Sequence, residues 1–243
     1  MFIIMYHSLL IGASLFAPIP FLDEKLAAYL WKRMISELAK KHQRTLSDEQ
    51  LTTLSYQYKF ILSNGCLLVV KRIFKQIAQE LIFFLEWGKA LDMATDAYYS
   101  GYLVNELFAH EKFDSAKTNH YAVALQNAKK GLNKKLMRRV MKGTFQSSWG
   151  VVVSIVKWLT GIVTDYIKDL RKRGFKRKSD PAFEKNMGGF FEANKAKLDS
   201  LVGQLKSNFD EGLGQIPTQH FDELKNKMFD ELKLHEETTS EVK

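Results

Sequence analysis

Six cations stand at helical intervals in one stretch of this chain: Lys130, Lys134, Lys135, Arg138, Arg139 and Lys142. Side chains three and four residues apart meet on one helix face, so these residues would present a strip of ammonium and guanidinium groups, whose chemistry is the binding of phosphate and carboxylate. Nothing nearby in the sequence balances them. From Ser115 to Thr164 there is no Asp or Glu against nine Lys and Arg, and from Ser115 to Lys178 sixteen basic residues face two acidic ones. That window carries +14 in a chain of net +9, so the remainder carries −5 (9 less 14). A second cluster, Arg171, Lys172, Arg173, Lys176, Arg177 and Lys178, closes the window. Between the clusters Thr144 to Val163 is apolar, with Lys157 as its only charge and with Trp149 and Trp158 inside it. Basic clusters on either side of a Trp-bearing apolar segment read as a contact for an anionic membrane surface first and for nucleic acid second.

Other chemistry has less footing. Cys66 follows Asn64-Gly65 near a helix start, where a thiol can have a depressed pKa, but its neighbours Leu67, Leu68, Val69 and Val70 point to burial. Lys89, Asp92 and Asp96 share an arc, and Glu106 and His110 form an i, i+4 pair. A bundle metal site needs Glu-x-x-His pairs on facing helices, and along one straight helix Asp92 and His110 would stand about 27 Å apart. These groups read as salt-bridged or solvated. No phosphate-binding loop, dinucleotide fingerprint or Gly-x-Ser-x-Gly elbow occurs, nor any zinc, helix-turn-helix or aromatic ribonucleoprotein pattern. The chain reads as a binding protein and not an enzyme, without cofactor or metal.

The elements that must carry the cations are helices. With 46% hydrophobic residues and only four Pro, and with apolar residues recurring at the helical period throughout, the expected fold is all-α, a bundle of roughly eight helices with no sheet. On a helical wheel Tyr121 to Lys142 forms one amphipathic helix, with Leu125, Leu132, Leu136, Met137 and Val140 opposite the cations and Gly131 as a point of bending or division. The arrangement around Thr144 to Val163 has three readings: a core helix with solvated flanks, an interfacial helix holding Trp149 and Trp158 at headgroup depth, or a nucleic-acid contact that uses the same flanking charges on phosphates. Phe2 to Ala17 also admits a buried helix, a bilayer segment or an export signal, although the first Lys is Lys25 and Pro18 stops the run short of the ~20 residues a span needs.

Punctuation along the chain sets the remaining boundaries. Ser47 and Gln50 form a capping box at the start of a third helix, and from Cys66 to Leu85 a very apolar stretch predicts the central helix of the bundle, with a membrane-seated hairpin as the alternative. Asp180 and Pro181 open a C-terminal arm as cap and first helical residue. Gly188-Gly189 is expected to interrupt that arm, and Gly212 and Gly214 to break it before Pro217. Its last helix repeats Phe221-Asp222-Glu223-Leu224-Lys225 as Phe229-Asp230-Glu231-Leu232-Lys233. The expected organisation is a helical core over 1–178 with the basic region at 115–178, an arm over 179–236 packed on the core or on a partner, and a flexible tail over 237–243.

Pro18 and Pro20 fix their own φ and push the preceding residues out of the α region, so the first helix must end near Phe16. Pro20 then suits the first turn of the next helix, where Asp23 and Glu24 favour its positive end; Lys32, Arg33, Lys40 and Lys41 are expected to face out. This order of apolar helix, Pro-Ile-Pro elbow, Asp, and a helix reading Trp31-Lys32-Arg33-Met34-Ile35-Ser36-Glu37-Leu38-Ala39 resembles the helical bacterial YcjF-like domains and, more loosely, EcsC-type proteins, over roughly residues 9 to 43. The resemblance implies a helical protein associated with the inner membrane and, in some relatives, with GTPases. It carries over the elbow, Pro18, Pro20 and Asp23, and no catalytic residue. A single cysteine fits a reducing compartment. The expected function is peripheral binding to an anionic membrane surface from the cytoplasmic side, or an adaptor role there, with anionic lipid headgroups or a protein as partner. A soluble helical interaction protein and a non-specific nucleic-acid binder are the alternatives.

Overall fold

A helix that is apolar on every side can only be covered, and Phe2–Ser14 (α1) is such a helix: each residue from Ile4 to Ser14 is buried. The computed structural model describes residues 1–16, 22–55, 78–172 and 183–240. After α1 come Leu22–Lys41 (α2), Asp48–Ser55 (α3), Ala78–Ala109 (α4), Thr118–Ala128 (α5), Lys135–Ser147 (α6), Trp149–Lys172 (α7), Phe183–Ala193 (α8), Lys195–Gly214 (α9) and Thr218–Ser240 (α10). The fold is all-α, with ten helices and no strand among the described residues.

Ten helices, not about eight, result from breaks at particular residues. Gly131 adopts φ +72°, a left-handed conformation that glycine reaches without steric cost, and divides the basic amphipathic stretch into α5 and α6. Ser148 divides the apolar run from 144 to 163, turning α7 by 88° from α6. In the C-terminal arm the break falls at Asn194, whereas Gly188 and Gly189 lie inside α8. The last helix continues to Ser240, past residue 237, where a flexible tail was expected to start.

Close approach between α1 and α4 holds the centre. A Cβ at Gly12 would lie 2.8 Å from the Ala94 Cβ and 2.9 Å from the Ala90 carbonyl oxygen; one at Gly101 would lie 2.9 Å from Ile4. Rising residue numbers on α1 thus meet falling numbers on α4, so the two run antiparallel with backbones nearly in contact. Helices α2, α7 and α9 cover the rest of α1. The C-terminal arm joins this same core through Phe191, Leu205, Phe209, Leu224 and Met228, and the first copy of its repeat seats Phe221 against Tyr98, Tyr99 and Tyr102.

The capping box is present as read: Gln50 N–H donates to Ser47 Oγ at 3.2 Å, and Ser47 N–H to Gln50 Oε1 at 2.8 Å. Lys40 and Lys41 are exposed, but Lys32 and Arg33 are not. Their side chains are 14% and 15% exposed because α8 lies over them. Lys32 bridges Asp48 and Glu184, both at 2.7 Å, and Arg33 pairs with Glu192 at 2.6 Å and Glu37 at 3.0 Å. Solvent-facing cations predicted on α2 are instead the anchor of the arm. Asp23 lies in the first turn of α2; Pro18, Pro20, Cys66, Asp180 and Pro181 lie outside the described residues.

Within this anchor sits a buried imidazole. His7 Nε2 lies 3.1 Å from Glu37 Oε2, while its Nδ1 has no hydrogen-bond partner among the described residues, which assigns the proton to Nε2 and the donor role to His7. Burial pushes the imidazole below 6.5 against the pull of Glu37. Burial would raise the Glu37 carboxyl, but the His7 hydrogen bond and the Arg33 guanidinium outweigh it and hold the group at about 2.

Two predictions follow from packing and protonation. Gly12→Ala should destabilise the protein by about 1–3 kcal/mol, because the Ala90 backbone cannot move aside. Gly143→Ala, in α6 with no described residue beyond its own helix backbone and chain neighbours within 4 Å of its Cβ position, should stabilise by about 0.5–1 kcal/mol from helix propensity; urea midpoints measure both. Below pH about 6.5 the unfolded chain binds a proton at residue 7 that the folded chain refuses. Stability should therefore fall there by up to about 1.4 kcal/mol per pH unit until the folded-state value is reached. A further loss should follow between pH about 4 and about 2 as Glu37 protonates. Melting temperatures from pH 8 to pH 2 for wild type and His7→Gln check this: the variant should lack the first decline and keep the second.

Candidate functional site

Helix α6 separates its residues into opposite faces. Met137, Val140, Met141, Thr144 and Phe145 are buried, whereas Lys135, Arg138, Arg139 and Lys142, at i, i+3, i+4 and i+7, are exposed on the other side. Thr144, the one polar group on the inner face, donates to the Val140 carbonyl at 2.9 Å, so the face is both satisfied and apolar.

The rotation of α6 is set by a carboxylate that the sequence marks only as salt-bridged or solvated, without its partners. Asp96 on α4 is 5% exposed and accepts from Lys129 Nζ at 3.2 Å and Lys134 Nζ at 2.7 Å; Lys129, itself 8% exposed, also donates to Ser100 Oγ at 2.7 Å. Burial would raise the Asp96 carboxyl, but the two ammonium groups reverse this and lower it, while burial lowers Lys129 against the pull of Asp96. One turn earlier on α4, Asp92 pairs with Arg138 Nε at 2.6 Å in a more exposed setting.

Beside α6 lies a groove of about 790 Å³. One wall is the cationic face of Lys135, Arg138, Arg139 and Lys142; the other is Trp87, Gly88, Leu91 and Trp149. Trp87 and Trp149 rings are 5.3 Å apart and both rest on Phe16, at 5.7 and 5.9 Å, with Phe145 6.2 Å from Trp87. The aromatic wall is thus the outer tip of the core at the end of α1. Trp149 is 36% exposed, the most accessible tryptophan described.

Of the six cations placed on one strip, four line the groove. Lys134 turns in to Asp96, and Lys130 lies on the turn made by Gly131, its carbonyl accepting from Lys227 Nζ at 2.6 Å. Arg138 is paired with Asp92, while Lys135, Arg139 and Lys142 have no ion pair among the described residues. Trp158 is not part of the groove: it packs edge-on against Phe191 of α8 at 5.2 Å. The aromatic partner of Trp149 is Trp87, to which the sequence reading gave no role. Its position beside Gly88 in an otherwise bulky stretch is the only signal that could have marked it. Arg171 and Lys172 end α7, and Arg173, Lys176, Arg177 and Lys178 lie outside the described residues. No single described helix is long and apolar enough to cross a membrane; only α6 with α7 reaches that composition jointly, across its 88° bend. Comparison with protein-family models, curated proteins and solved structures returns no match.

Removing Asp96 should be costly and removing Asp92 cheap. Asp96→Ala leaves Lys129 buried and uncompensated and should cost about 3–5 kcal/mol; Asp92→Ala, at an exposed pair, should cost less than about 1 kcal/mol. Chemical denaturation of the two variants measures the difference.

Proposed function

We propose that the protein binds peripherally to anionic membrane surfaces through the outer face of α6 and the adjoining Trp149. The observation that carries this reading is the pairing of uncompensated cations with an exposed tryptophan. Lys135, Arg139 and Lys142 share one face without carboxylate partners among the described residues, and Trp149 stands beside them at the groove rim. Tryptophan favours the headgroup layer because its ring is apolar while its N–H needs a polar partner. Cations near an anionic leaflet each contribute about 1 kcal/mol, so three supply about 3 kcal/mol, or roughly a hundredfold in partitioning. The attraction is screened by salt, so binding is reversible and sensitive to ionic strength.

Vesicle flotation tests the reading. Wild type should float with vesicles containing anionic lipid at low salt, should remain behind with neutral vesicles, and should be released at high salt. Lys135→Glu, Arg139→Glu and Lys142→Glu together should abolish flotation, with melting temperature unchanged because no ion pair is broken. Failure of the wild type to float with anionic vesicles would refute the proposal.

A further inference from the structure

The groove beside α6 is shaped as well as charged. At about 790 Å³ it falls within the ~300–1,000 Å³ typical of small-molecule sites, and its two walls differ in chemistry. Trp87, Leu91 and Trp149 are apolar, whereas Lys135, Arg139 and Lys142 hold charge that no side chain described neutralises. Gly88 forms the floor between them: among the described residues a Cβ there would meet only Arg138 Nη2, at 3.7 Å. A larger residue on that turn of α4 would occupy the space.

We infer that the groove takes one single-chain amphiphile with a phosphate head, as a monomer. The chain lies against Trp87 and Trp149, and the head sits among Lys135, Arg139 and Lys142. This rests on the anionic-surface reading for the sign of the ligand and deepens it to a bound molecule. The two-sided lining decides the class. A bare phosphate would leave the aromatic wall wet, and a neutral chain would leave three cations uncompensated, whereas an anionic amphiphile satisfies both walls at once. Arg138, already paired with Asp92, is not needed for the head.

Octyl, decyl and dodecyl phosphate, each below its micelle concentration, are the probes, with tryptophan fluorescence and calorimetry as readouts. Affinity should rise about fourfold per added methylene, and inorganic phosphate and decyl maltoside should each bind at least tenfold more weakly than decyl phosphate. Gly88→Phe should remove decyl phosphate binding yet retain flotation on anionic vesicles, since the outer face of α6 is untouched. Arg139→Gln with Lys142→Gln is an independent check should Gly88→Phe fold poorly: it should weaken decyl phosphate at least tenfold and leave decyl maltoside unchanged. Affinity independent of chain length, wild-type decyl phosphate affinity in a folded Gly88→Phe, or no loss in the Gln pair overturns the inference. Chain-dependent binding by a wild type that does not float supports the groove and removes only the membrane reading; flotation without decyl phosphate binding removes only the groove.

Discussion

Covering α1 is the constraint to which the other elements answer. Its eleven buried residues run without a break from Ile4 to Ser14, so no orientation leaves a polar edge in water, and neighbours must surround it. Two of the polar atoms it carries inward find partners, one locally and one across the core: Ser14 Oγ donates to the Ile11 carbonyl at 2.8 Å, and His7 reaches Glu37 on α2. Gly12 and Gly101 let α4 come close enough to exclude solvent along one side. Because the half-buried Phe16 follows α1 and touches both Trp87 and Trp149, the core continues into the Trp87–Trp149 wall, and the groove inherits its apolar side from the same packing that buries α1.

Charge is distributed by a second constraint, the shared carboxylate of Asp96. Burying the ionised Asp96 and Lys129 costs desolvation energy that only mutual pairing and hydrogen bonds offset. Asp96 meets that condition with two ammonium groups, and Lys129 gains Ser100 as a further acceptor. The geometry pins the turn after α5 and the first residue before α6 to α4, which fixes how α6 is rotated. Once that rotation is set, Lys135, Arg139 and Lys142 can only point away from the core. An electrostatic contact internal to the fold therefore chooses which cations are left for an external partner.

Much of this was legible along the chain. The Ser47–Gln50 cap, the division at Gly131, the burial of Met137 and Val140 and the helical class all depend on residues within a turn or two of one another, where propensity and period act directly. Lys32 and Arg33 were misjudged because a solvent-facing arc and an arc covered by α8 look alike until Glu184 and Glu192 arrive from the far end of the chain. Trp158 was paired with Trp149 by proximity in sequence, although nine residues of helix carry it to the opposite side of α7, where Phe191 waits.

By itself the sequence determined the helical content, the location and sign of the excess charge, and the presence of an apolar helix that must be enclosed, since each is a property of composition or of spacing within one element. Only the tertiary structure decided that Lys134 is spent on Asp96, 38 residues away, that Trp87 and not Trp158 stands beside Trp149, and that a groove opens over Gly88. These depend on the relative rotation and crossing of helices. A one-dimensional period fixes which side chains share a face but leaves free what that face will meet.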